Sequence, residues 1–229
     1  MTAERNAGYT GFMVRRPSVL SDPFAADQEE AIFAKALSEL RAKISSDGQN
    51  AVTALASFLA QGGALVFPLL RAWAEDHDPQ VRKSLVKAAE KAADPADPFR
   101  AVFLFGLIEP LLWDPDPSVR TLARKALREK LLPTYPEEAL EILAQWTADP
   151  DPKKKIFAVE CLGRLPPSLA RRALILLRHL GRSEEGKVRK AVIRALRRWR
   201  WAAPNPVEGE LRGWLADPGL SELAQRALS

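Results

Sequence analysis

Lys190, Arg194, Arg197 and Trp201 follow one another at spacings of four, three and four residues, so a helix with 3.6 residues per turn gathers them on one face. Three cations and one aromatic ring on a single face suit a polyanion. Each cation can neutralise a phosphate and release its counterions, and an exposed indole can stack on a base or sugar. The other residue able to do chemistry in this third of the chain is Glu160, nearly its only carboxylate. Among cations, a carboxylate can stabilise a developing positive charge or activate a water, which makes Glu160 a catalytic candidate. Its structural alternative is an ion pair to Arg194 or Lys125 that only orients those side chains.

A helix must hold this face in place. Within residues 187–201, Val188, Ala191, Val192, Ala195, Leu196 and Trp199 recur at i, i+3, i+4, i+7, i+8 and i+11, which is one apolar stripe along an amphipathic helix. The stripe is expected to be buried, with Trp199 in the core and Trp201 on the exposed side.

The net charge of +5 on 229 residues is mildly basic, but its distribution is uneven. Between positions 153 and 200 stand 15 Lys and Arg against 3 acids, so this segment carries +12 and the remainder −7. A basic face of this kind fits nucleic acid or an acidic protein surface. One cysteine, Cys161, and two isolated histidines, His77 and His179, leave no material for a disulfide framework or a metal site. No cofactor is expected. The chain opens without a secretory signal and has no long apolar run, so no membrane partner and a cytoplasmic location are expected.

Residues 1–26 lack a sustained period and are read as an N-terminal arm, followed by one domain over 27–229. A helix with an acidic first turn is predicted from Asp27, and a second through residues 51–60, stopped by Gly62 and Gly63. Internal repeats then set the architecture. Turns beginning at Asp78, Asp116, Asp151, Glu185 and Asp217 are followed by Pro or Gly, and each is preceded by an apolar segment carrying Trp73, Trp113, Trp146, Leu180 or Trp214. Asp can cap the second helix of each unit, and proline at the first helical position loses no bond there. The arginine that follows, Arg82, Arg120 or Arg189, can reach an aspartate in a neighbouring turn. With no period-two stretch, the expected fold is all-α, a right-handed α-solenoid of about six antiparallel helix pairs. The Asp-Pro-x-Val-Arg turns at Asp78 and Asp116 resemble the HEAT repeat class, in a HEAT-like form with a shorter period.

In such a stack the second helices line the concave side. Sliding the positions of Lys190, Arg194 and Arg197 back one repeat at a time predicts Ile156, Glu160 and Gly163, then Thr121, Lys125 and Arg128, then Lys83, Lys87 and Glu90 as their neighbours. The groove is expected to be basic with acidic interruptions.

The run Lys190-Ala-Val-Ile-Arg-Ala-Leu-Arg resembles the helix of bacterial alkylpurine DNA glycosylases that reads Lys-Ala-Ile-Gly-Trp-Ala-Leu-Arg. Asp116-Pro-Ser-Val-Arg, Val81-Arg-Lys-Ser-Leu and the run from Tyr135 to Trp146 are similar to a sister branch of the same DNA alkylation repair family. The resemblance covers about a third of the chain. It implies a solenoid that grips duplex DNA by its phosphates and, in active members, excises alkylated bases. Here the family's aromatic residue is replaced by Arg194, and Lys155 stands near a backbone-holding arginine, keeping its charge but not its planar fork. Asp114 and Asp116 flank Trp113 where the catalytic aspartate would lie, but both belong to a turn.

The reading that follows is a non-catalytic binding protein for duplex DNA, using Lys125, Arg128, Lys155, Lys190, Arg194, Arg197 and Trp201. Backbone contacts of this type position a protein without reading sequence. A scaffold for an acidic protein partner and a glycosylase built around Glu160 and Trp201 stand as alternatives.

Overall fold

The computed structural model describes residues 23–44 and 48–229, and among them it has twelve α-helices and no strand. In chain order these are α1 Pro23–Lys43, α2 Gly48–Trp73, α3 Pro79–Ala92, α4 Phe99–Leu111, α5 Pro117–Ala126, the short α6 Leu132–Thr134, α7 Pro136–Ala148, α8 Pro152–Leu162, α9 Ala170–Gly181, α10 Gly186–Ala202, α11 Pro204–Leu215 and α12 Ser221–Leu228. The result is an all-α solenoid of contacting helix pairs. α1 packs on α2, α2 on α3, α4 on α5, α7 on α8, α9 on α10 and α11 on α12. The first helices α2, α4, α7, α9 and α11 touch in sequence, and among the second helices α3 lies on α5 while α10 lies between α8 and α12. No helix among the described residues is long and apolar enough to cross a membrane.

The turns explain why the units repeat. Asp78, Asp116 and Asp151 cap their helices by accepting backbone N–H bonds from Gln80, Ser118 and Lys153 at 2.8, 2.7 and 2.9 Å, with proline at the first helical position in each. A second aspartate two residues earlier completes the turn. Oδ1 of Asp76, Asp114 and Asp149 accepts the backbone N–H of Asp78, Asp116 and Asp151 at 2.9, 2.8 and 2.9 Å. The other carboxylate oxygen of each takes a cation, from Arg41 at 2.6 Å, Arg82 at 2.7 Å and Lys154 at 2.9 Å. The working unit is Asp-x-Asp-Pro, in which the first aspartate folds the turn and ties it down while the second caps the helix.

This unit corrects the expected register at the fifth turn. Oδ1 of Asp217 accepts from the Gly219 N–H at 3.0 Å, its other oxygen pairs with Arg182 at 2.5 Å, and α12 begins only at Ser221. Asp217 therefore plays the part of Asp149, not that of Asp151. The arginines also divide their roles. Arg82 reaches the Asp114 carboxylate of the next turn as expected, whereas Arg189 reaches Glu222 and Arg120 donates to the carbonyls of Asp114 and Pro115 in its own turn. Asp149, the carboxylate of the turn that follows Arg120, is held by Lys154.

Two helix boundaries differ from the sequence expectation. α1 starts at Pro23, so Asp27, Glu29 and Glu30 fall past its first turn; proline at a helix start forfeits no bond. The rest of the expected arm, residues 1–22, lies outside the described residues. α2 runs unbroken from Gly48 to Trp73 through Gly62 and Gly63. Interior glycine costs a helix roughly 1 kcal/mol relative to alanine, and packing of α2 against α1, α3 and α4 outweighs it. The tryptophans behave as packing residues: Trp73, Trp146 and Trp214 are buried, Trp113 is partly buried against the core, and Leu180 takes the same place in the fourth unit.

Candidate functional site

All six apolar residues expected along α10 are buried, and they press this helix onto α8 and α12. The indole N–H of Trp199 donates to the Leu162 carbonyl at 3.0 Å, which fixes the register against the end of α8. One turn away, a Cβ on Gly163 would stand 3.2 Å from both Cα and Cβ of Ala195. The absent side chain lets the two helices approach closely.

Above this contact lies a cleft of about 300 Å³, floored by Gly163, Ala191 and Ala195 and walled by Arg128, Arg164, Arg194 and Arg198 with Glu160. Glu160 sits between two of the arginines: Oε2 lies 3.0 Å from Nη2 of Arg128 and Oε1 lies 3.6 Å from Nη2 of Arg194. Extrapolation along the repeats places Glu160 and Lys125 level with Arg194, and Gly163 and Arg128 level with Arg197; in the structure Glu160 pairs with Arg194 and with Arg128 in place of Lys125. Neither Arg164 nor Arg198 has a carboxylate partner among the described residues. The cleft thus sets four guanidiniums against one carboxylate, which pairs with two of them.

Arg128 reaches the cleft from an irregular turn. α5 continues through a π-helical stretch, Leu127–Leu131, in which the Leu132 N–H donates to the Leu127 carbonyl, before α6 completes the helix. Pro133 accounts for the wide turn, because it has no N–H to give to residue 129 and its ring crowds that carbonyl. Arg128 lies over the Phe157 ring at 5.1 Å, its Nε buried without a hydrogen-bond partner. Arg124 lies over the same ring at 5.4 Å and over Trp113 at 5.3 Å.

The clustering is costly for the cations. Burial, then the like charges of Arg128 and Arg120, push the Arg124 pKa down from its ordinary value. Burial, then Arg198 and Arg128, do the same to Arg164. Of the two, Arg164 lines the cleft, where an anion would offset the like charges of Arg198 and Arg128. Beneath it, burial pushes the Cys161 thiol up to about 12, with Arg128 opposing the shift.

The remaining expected residues are spread around this centre. Lys190 is exposed in a smaller recess between α10 and α12. Arg197 donates from Nε and Nη2 to the Arg226 carbonyl at 3.2 and 2.7 Å, at the end of α12. Trp201 is 91% exposed and borders another recess with Arg197, Arg200 and Glu208. Lys125 faces solvent near Glu129, 3.8 Å away on its own helix, and Lys155 reaches Glu185 at 3.7 Å across the next turn. Neither lines the cleft.

Arg164 and Arg198 were missed by sequence reasoning. Arg198 carries a signal, since it stands four residues after Arg194 on the same helix. Arg164 carries none, because it follows Gly163 just past the end of α8, where helical periodicity no longer applies. The aspartates considered for catalysis are engaged in the turn. Asp114 is buried against Arg82, and Asp116 caps α5 through the N–H groups of Ser118 and Val119.

Residues 106–197 match the family model described as HEAT repeats, which covers less than half of the chain. No curated protein matches. Among solved structures, the chain is similar to a crystal structure of an engineered protein at 19% identity and a TM-score of 0.38, over 84% of this chain and 95% of that one.

Proposed function

We propose that this HEAT-like solenoid is a non-catalytic binding protein that holds nucleic acid, duplex DNA above all, by its phosphates. The observation that carries this reading is the cleft between α8 and α10, where four arginines line the walls and the single carboxylate pairs with two of them. A protein gains nothing in stability from crowding guanidiniums whose like charges oppose one another; a polyanion gains a prepared site. Lys190 and Arg197 continue the positive face along α10, and exposed Trp201 offers a ring for stacking at its far end. Glu160 serves as an ion-pair partner in this reading, so no base excision is expected.

The test is fluorescence anisotropy of a labelled duplex over a range of salt concentrations. Log affinity should fall linearly with log salt, and Lys190→Glu/Arg198→Glu should lower affinity at least about tenfold and flatten the slope by about 0.9 for each phosphate that is no longer neutralised. Both residues are exposed and lack a carboxylate partner among the described residues, so the fold should survive. Absence of binding at low salt would sink the nucleic-acid reading and turn attention to an acidic protein partner.

A further inference from the structure

The α8–α10 cleft holds its own anion. Glu160 divides its two oxygens between Arg128 and Arg194, one to each, and is itself only partly exposed. A carboxylate held by two guanidiniums from different helices occupies the position a phosphate oxygen pair would take. It does not satisfy the site. Arg164 and Arg198 on the remaining walls have no carboxylate partner among the described residues. Gly163, Ala191 and Ala195 are the small residues among its lining, so the cleft of about 300 Å³ is bounded by no bulky apolar side chain.

We infer that this cleft seats one phosphodiester group and that Glu160 is its resident competitor, displaced from Arg128 and Arg194 when the phosphate enters. The inference rests on the nucleic-acid reading for the source of the diester and adds a regulatory property to the site. In the free protein, Glu160 lowers the positive potential of the cleft and engages Arg128 and Arg194 itself. Weak or isolated anions then fail to displace it at low concentration, while a phosphate delivered as part of a longer backbone succeeds because neighbouring contacts hold it in place. The diester is favoured over a phosphorylated peptide because the cations do not end at the cleft; they continue along α10 through Lys190 and Arg197, as a repeating backbone requires.

Dimethyl phosphate is the direct probe, being a diester with no base, sugar or chain. Titrated to high concentration into ¹⁵N-labelled protein, it should move the Nε–H resonances of Arg128, Arg164 and Arg198. Glu160→Gln, which keeps the side chain's shape and removes its charge, should reduce the concentration needed by about five- to tenfold, the equivalent of two partly exposed ion pairs. With a labelled duplex the same variant should bind more tightly and with a slope steeper by up to about 0.9. Glu160→Ala serves as a second variant, and an unchanged urea midpoint confirms that either one folds.

Absence of shifts with dimethyl phosphate overturns the inference even if the duplex binds. Duplex binding that Glu160→Gln leaves unchanged or weakens overturns the competitor role while the nucleic-acid reading stands. If dimethyl phosphate binds more tightly to Glu160→Gln but the duplex binds neither protein, the cleft assignment holds and the nucleic-acid reading falls. A phosphoserine peptide that binds where the duplex does not would overturn the diester assignment.

Discussion

The guanidinium of Arg82 meets the carboxylate of Asp114 through two bonds, Nε to Oδ2 at 2.7 Å and Nη2 to Oδ1 at 2.9 Å, in a pair whose side chains are both nearly inaccessible to water. Arg82 also donates to the carbonyl of Asp76, so a single side chain ties two successive turns together. Removing one member of a buried pair leaves the other charged and unsatisfied, which typically costs about 3–5 kcal/mol. Asp114→Ala should lower the stability measured in urea by that amount, and Asp78→Ala, which removes only a cap, by about 1 kcal/mol.

Acid should loosen the turns before it touches the apolar core. The hydrogen bond from Arg41 holds the Asp76 carboxyl below its usual range against the opposing effect of burial, and Asp149 and Asp217 are lowered by the N–H of Asp151 and by Arg182 respectively. A depressed folded pKa stabilises the fold fully above the unfolded value of about 4, and this contribution is lost as pH falls through the folded values. Urea midpoints should therefore be level from pH 7 to about 5 and drop below about 4. Arg41→Ala should remove the share of that drop due to Asp76.

Gly163 sets the distance between α8 and α10. Its φ of −65° is ordinary for any residue, so the constraint is space alone, with the Ala195 backbone 3.2 Å from where a Cβ would lie. Gly163→Val should cost about 1–3 kcal/mol through overpacking, with Gly163→Ala closer to neutral. Both are measured by thermal unfolding, and the valine variant should also weaken duplex binding by spreading the cleft.

Trp201 and Trp199 stand two residues apart with opposite fates. Trp201→Ala should leave stability within about 0.5 kcal/mol of the parent, whereas Trp199→Ala should lose about 3–5 kcal/mol. Acrylamide quenching of the remaining fluorescence should fall sharply only in the Trp201 variant.

Cys161 reports on the same region without perturbing it. Fully buried and with its thiol pushed up to about 12, it should resist a thiol reagent at pH 8 in the native protein and react as the chain unfolds. Labelling that proceeds at the rate of an exposed thiol would contradict the packing of α8.

Helical periodicity determined the all-α architecture, the buried stripe of α10 and the exposure of Trp201, because burial of an apolar face repeats with the geometry of the helix itself. The Asp-Pro caps were legible for the same reason: they depend on residues two or three positions apart. The structure decided what depends on contacts more than thirty residues distant. It joined Arg128 to Glu160 across 32 positions and Arg82 to Asp114 across the same separation, and it brought Arg164 beside Arg198 from beyond a helix end. A π-helical turn at Leu127–Leu131 and a long α2 broke the regular spacing on which extrapolation relied. Sequence period sets which face of each helix is buried; only the packing of one helix on the next decides which charges on the other faces meet.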